Sequence, residues 1–183
     1  MIPRLSGDDL PRDLAEMLRP RVERLGYLGE FFRCAAHQPA ALMSFMRFTE
    51  DLKRALPDRI TETVALTVST ELANAYERHQ HERLCLRLGY SEDWVRGVEK
   101  LDPADAAVLD TTERCVQTLT LAVIRRQGQA TSRELAAVAD VMDDDGAIAV
   151  LMLIGRYVAH ALMVNSLALE PPVPSPLAAV HES

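Results

Sequence analysis

The chain has 183 residues, 48% hydrophobic and 26% charged, a composition that fits a folded domain of 1–170 and excludes a disordered polypeptide over most of its length. Its formal net charge of -7 and the lack of any Lys/Arg-rich run argue against a nucleic-acid partner, because phosphate backbones are held by clustered positive charge. Cys34, Cys85 and Cys115 are odd in number and scattered, which fits neither a disulfide framework nor a four-ligand zinc site; each is expected as a buried small apolar residue.

Met1 to Leu10 is polar, acidic and broken by proline, without the apolar core of a secretory signal, so a cytoplasmic location is expected. Apolar residues then recur at three- and four-residue steps while strand-like alternation is almost missing, which predicts an all-α fold. Leu10 to Leu25 forms a first amphipathic helix, interrupted or kinked at Pro20 and closed by Gly26 and Gly29, with a short helix over Glu30 to Ala36 after it. Pro39 suits the first turn of a third helix, whose stripe of Leu42, Phe45, Met46, Phe48 and Leu52 faces the core and ends before Pro57.

Pro57 or Asp58 opens a central helix with Ile60, Val64, Ala65, Val68, Leu72 and Tyr76 in helical register and a break or kink across Glu71 to Ala75. Gly89 ends that element, and Ser91 with Asp93 caps a short helix through Val98. Asp102-Pro103 is expected to start the next, a long helix over Ala106 to Arg126, followed by a turn at Gly128. Thr131 or Ser132 with Glu134 resembles a capping start for Leu135 to Met142.

Asp143, Asp144, Asp145 and Gly146 precede a last apolar helix, Ala147 to about Ala168. These acids lack the spacing of a calcium loop and complement the helix dipole, so no metal is assigned to them. The apolar stretch Ala147 to Ile154, bounded by those acids and Arg156, is too short to cross a bilayer, and no membrane contact is expected. Residues 171–183, containing PPVPSP, are expected as an extended or disordered tail.

Chemistry concentrates between Glu62 and His81. Glu77 and His81 are one turn apart, so they project to the same side of a helix; a carboxylate against imidazole fixes its tautomer and raises its basicity, the pairing used in general-base work. Glu62 lies about four helical turns before Glu77 and joins the pair only if the chain folds back between Thr70 and Ala75. His79 points to a different side of a regular helix from His81, and an i, i+4 pair of this kind is common on solvated faces without any function. His160, with Tyr157 nearby on the last helix, could reach the same cavity, although a histidine on an apolar helix is more often hydrogen-bonded in the core.

The order Glu62, Asn74, Tyr76, Glu77, His81 resembles the carboxymuconolactone decarboxylase and AhpD-type alkylhydroperoxidase superfamily, as do the flanks LGEFFRCAAHQPAALMSFMRFTEDL, LRLGYSEDWV and GRYVAHALMVNSLALE. The resemblance covers roughly Leu25 to Glu170 and implies an AhpD-like helical domain with a broken central helix pair. Asn74 and Glu77 stand where the peroxidatic members carry a CxxC pair, so thiol-dependent peroxide reduction is not implied.

What the resemblance implies instead is cofactor-free acid–base chemistry on a small organic acid or lactone. His81, Glu77 and Glu62 would be its catalytic residues, with Asn74, Tyr76, Arg78 and His79 binding substrate and Arg78 as the nearest anchor for a carboxylate. It also implies a homo-oligomer, a trimer or hexamer, with a small molecule as the partner. Two other readings stand beside it: an AhpD-type binding or assembly module without thiol activity, and a divalent-metal site at Glu62, Glu77 and His81, whose spacing differs from the repeated Glu-x-x-His of di-iron bundles.

Overall fold

A computed structural model describes residues 2–178, and among them the fold is all-α. The helices are α1 (Arg12–Leu25), α2 (Glu30–Ala35), α3 (Pro39–Ala55), α4 (Asp58–Glu71), α5 (Ala75–Arg87), α6 (Glu92–Glu99), α7 (Thr111–Arg125), α8 (Ser132–Met142) and α9 (Asp144–Ser166). Pro20 sits inside α1 without ending it, and Pro39 opens α3, where its missing N–H leaves no helical bond unmade.

Helix α4 is the axis of the molecule, packed against α5, α6, α7 and α9. Every residue from Ile60 to Ser69 is buried, so the helix has no solvent face and its polar residues need partners inside the protein. Thr63 and Thr67 donate to carbonyls one turn back, at 2.8 and 2.6 Å, and Gln117 of α7 donates to the Thr67 hydroxyl at 3.2 Å. Around this axis α7, α8 and α9 pack on one another, while α3 lies on α9 and carries α1 and α2.

The expected break falls at 72–74. Ala73 takes a left-handed φ of 52°, which turns the chain out of α4, and the Asn74 side chain accepts from the Glu77 N–H at 3.2 Å, which starts α5. The two helices therefore form a hairpin, and α5 returns alongside α4.

Three expectations need correction. The long helix α7 starts at Thr111 and not near Ala106, because Asp110 accepts from Glu113 N–H at 2.8 Å and the Glu113 carboxylate accepts from Asp110 N–H at 2.9 Å, a reciprocal cap that fixes the start. Glu134 does not close a capping box for α8: it pairs with Arg126 at 2.6 Å, and Thr131 donates to Gly128. The Pro-rich segment is docked over 171–178, where Leu177 is buried with Trp94, Val98 and Leu109 in one apolar cluster; residues 179–183 of the expected tail lie outside the described residues.

Helix α9 is long and apolar enough, by length and composition, to cross a membrane, yet 56% of its most apolar window is buried within this fold. It begins at Asp144 and not at Ala147: Asp143 is its cap, accepting from Gly146 N–H at 2.8 Å, and Asp144 and Asp145 lie in its first turn.

Glu113 ties three elements together, accepting from Arg59 of α4, from the Trp94 indole of α6 at 3.3 Å and from Asp110 N–H. It is fully buried. Glu113→Ala is expected to destabilise the fold by about 2–4 kcal/mol in urea denaturation, because one substitution removes a cap and leaves the buried Trp94 indole N–H without its acceptor.

Candidate active site

The hairpin brings Glu62 and His81 into contact. His81 Nδ1 lies 2.5 Å from Glu62 Oε2, with both residues buried, so the imidazole donates from Nδ1 and turns Nε2 toward the cavity. Cys85, one turn beyond His81, places its sulfur 3.7 Å from the same Glu62 oxygen. Burial first, and then Glu62, push the Cys85 thiol up, so it stays protonated and is no redox nucleophile at neutral pH.

On the other side of the ring, His81 Nε2 is 3.5 Å from Glu77 Oε1 and 3.5 Å from the Tyr157 hydroxyl. Glu77 also meets Arg156 Nη1 at 3.4 Å and His160 Nδ1 at 3.5 Å. Arg156 is fixed by a 2.9 Å hydrogen bond to the Thr49 hydroxyl and by stacking over the Tyr157 ring, with 4.3 Å to the ring centroid. His160 packs 4.2 Å from the Phe31 ring, and its Nδ1 makes no hydrogen bond.

These groups border a cavity of about 270 Å³, which also touches Tyr27, Phe31, Tyr76 and Val173. The same cavity is lined by Arg21, Arg24, Lys53, Arg83, Arg87 and Arg156, so its walls are cationic although the chain as a whole is acidic. Among the described residues Arg156 is bound to Glu77 and Arg21 to Glu50, while Arg24, Lys53 and Arg87 form no ion pair. Such a wall raises the local concentration of small anions.

Burial opposes a charge on His81, but Glu62 and then Glu77 outweigh it and raise the imidazole from its ordinary 6.5 to about 9. At neutral pH His81 is therefore held as an imidazolium, the form that carries a proton to donate. Burial likewise opposes the Glu77 carboxylate, but His160, His81 and Arg156 outweigh it and hold the carboxyl well below the usual range. Burial, opposed by Glu77 and reinforced by Arg156, pushes His160 down to about 4, so it is neutral at pH 7 and the lasting countercharges of Glu77 are His81 and Arg156. Burial also pushes the phenols up, Tyr157 well above its usual value and Tyr76 to about 12, which keeps both as hydrogen-bonding hydroxyls.

Of the residues singled out in the sequence, Glu62, Glu77 and His81 come together and Tyr76 lines the cavity. The Tyr76 hydroxyl accepts from Phe31 N–H at 3.3 Å, and Gly29 leaves room for it, since a Cβ there would stand 2.8 Å from that oxygen. Asn74 is spent on capping α5, and Arg78 turns away to Glu82 at 3.3 Å. His79 faces the Val173 carbonyl at 3.2 Å, outside the cavity. Helix rotation explains Arg78 and His79, because neighbours of Glu77 and His81 in sequence point to other sides of α5, while Asn74 is held by its place as the N-cap of that helix.

The cation that meets Glu77 at the cavity is instead Arg156, with Tyr157 and Thr49 beside it; the available signal was an Arg, a Tyr and a His at 156, 157 and 160 on an otherwise apolar helix. Glu62 and Glu77 occupy opposite ring nitrogens of His81, so no single divalent ion can take all three donors in this arrangement, and the metal reading of the sequence loses its basis.

Neither a family model nor a curated protein sequence matches the chain. Solved structures do. The alkylhydroperoxidase AhpD core of an uncharacterized peroxidase-related protein from Ralstonia eutropha JMP134 superposes with a TM-score of 0.80 at 16% identity, over 92% of this chain and 90% of that one. The debrominase Bmp8, in a cysteine-to-alanine variant bound to 2,3,4-tribromopyrrole, gives 0.77 at 14% identity over 93% and 90%. A protein of unknown function from Agrobacterium tumefaciens gives 0.70 at 17% identity over 76% and 96%. The chain has the AhpD-like all-α fold, as its residue pattern implied; at such identities the likeness carries the fold and not the activity.

A raised imidazole pKa makes the Glu62–His81 pair stabilising below about 6.5, and that contribution is lost as pH rises through about 9. Glu62→Gln should flatten this slope: urea denaturation of the wild type is expected to lose on the order of 3 kcal/mol more than the variant between pH 6.5 and 9.5.

Proposed function

We propose that the protein is a cofactor-free enzyme performing acid–base chemistry on a small organic acid or lactone, in the manner of a carboxymuconolactone decarboxylase. The observation that carries this reading is an imidazolium, His81, held by buried Glu62, with its Nε2 facing Glu77 and the Tyr157 hydroxyl at 3.5 Å each beside a cavity that also holds Arg156. A proton donor beside a fixed cation is what the loss or transfer of a carboxylate requires.

In this reading the cationic wall draws in the substrate anion and Arg156 holds a carboxylate, displacing part of its contact with Glu77. When the carbon–carbon bond to the departing CO₂ breaks, its electron pair stays on the substrate carbon as an enolate. The Tyr157 hydroxyl is placed to donate to that enolate oxygen. His81 Nε2 delivers the proton that takes the place of CO₂, and solvent returns one to the ring. Glu62 keeps the imidazole in position throughout, while Glu77 supplies a second carboxylate for moving a proton on the substrate.

The test is CO₂ release from a panel of carboxylated lactones and keto acids. Once a substrate is found, His81→Gln is expected to lower kcat by roughly 10²–10⁴-fold with the helical circular dichroism unchanged, whereas Arg156→Gln should act mainly on KM. Full turnover in a folded His81→Gln protein would refute the reading.

A further inference from the structure

The cavity carries far more positive charge than one carboxylate needs. Arg21 and Arg24 of α1, Lys53 of α3, Arg83 and Arg87 of α5 and Arg156 of α9 line it, and among the described residues Glu77 is the single acid in its wall. Arg156 is buried, whereas Arg24, Arg83 and Arg87 are exposed and Arg21 and Lys53 half-buried. Five cations from three helices thus stand at the mouth, with Arg156 inside beside Glu77 and His81.

This crowding is unfavourable by itself. Arg21 and Arg24 are one turn apart on α1, as Arg83 and Arg87 are on α5, so each pair shares a helix face and repels. Arg21 has a countercharge in Glu50 at 3.4 Å and is held 4.9 Å over the Phe32 ring. Arg24, Lys53, Arg83 and Arg87 form no ion pair among the described residues, although the chain has 27 Asp and Glu against 20 Lys and Arg; Arg83 donates only to the Pro174 carbonyl, at 3.1 Å. An anion placed among these cations removes their repulsion and meets a field that concentrates it.

We propose that the mouth is a phosphate site: besides the carboxylate that reaches Arg156, the substrate carries a phosphate group received by Arg24, Lys53, Arg83 and Arg87. The inference rests on the proposed reading of the cavity as the substrate site of an acid–base enzyme and names the second group of that substrate. A carboxylate brings one charge and two acceptor oxygens, which one guanidinium satisfies through two parallel N–H bonds. A phosphate ester brings a charge of about -1.5 to -2 at pH 7 and three acceptor oxygens, so it takes several cations approaching from different directions. Arginine forks matched to pairs of its oxygens, with a lysine as a point charge, are the donor set that the mouth presents. Binding energy gained there, away from the reacting carbon, holds the carboxylated end against Arg156 and His81.

Titration calorimetry of the full chain, at about pH 8 and about 0.15 M salt, compares inorganic phosphate with two series of equal chain length: phosphonoacetate, 3-phosphonopropionate and 4-phosphonobutyrate, and the dicarboxylates malonate, succinate and glutarate. At least one phosphono acid is expected to bind about tenfold tighter than both inorganic phosphate and its matching dicarboxylate, in proportion to the extra charge and acceptors that the mouth can use. Arg24→Gln and Arg87→Gln, both at exposed positions, should each weaken that binding by about fivefold or more, whereas Arg133→Gln, an exposed cation of α8 outside the cavity, should leave it unchanged. Dicarboxylates that bind as tightly as the phosphono acids, no phosphono acid tighter than inorganic phosphate, full affinity in both cavity variants, or an equal loss in Arg133→Gln would each overturn the proposal. The readout is binding and not turnover, so its failure is distinguishable from a failure of the His81 reaction, which is scored by CO₂ release.

Discussion

The contact between Glu62 and His81 is the constraint from which the rest of the site follows. A carboxylate and an imidazole are both withdrawn from water, which is unfavourable unless they meet, and they meet only because α4 and α5 form a hairpin. That hairpin rests on Ala73 in the left-handed region and on Asn74, whose side chain caps α5. A continuous helix through 72–74 would leave the two groups several turns apart, each buried without its partner.

From that contact the charges alternate inward to outward: Glu62, His81, Glu77, Arg156. Each basic group lies against a carboxyl group, and His160 is left uncharged by its burial. In the proposed reaction an incoming carboxylate meets the cationic wall first and then competes with Glu77 for Arg156. The net acidity of the chain and the cationic lining of its cavity are therefore compatible, and the local field, not the total charge, governs what enters.

Much of this was legible in the residues, and the limits were physical. Helical periodicity located every helix, and the need for Glu62 to reach His81 predicted the break before Ala75, since polar groups on one buried face must converge. Local caps were less legible: Asp102-Pro103 and Asp110 both look like helix starts, and only the reciprocal bond with Glu113 favours the latter. Arg156 was missed because its role depends on α9 lying across α3 and α5, a packing relation that leaves no local pattern. The tail misled through composition, since PPVPSP reads as unstructured until Ser175 and Leu177 find Glu82 and the Trp94 cluster.

The whole site turns on Glu62 keeping His81 an imidazolium at neutral pH. Nitrogen-15 NMR of the histidine rings across pH 6 to 10 tests it most directly. Both ring nitrogens of His81 are expected to carry protons at pH 7.5, with the ring titrating near 9. A neutral His81 at pH 7.5, titrating at or below the ordinary imidazole value of about 6.5, would contradict it.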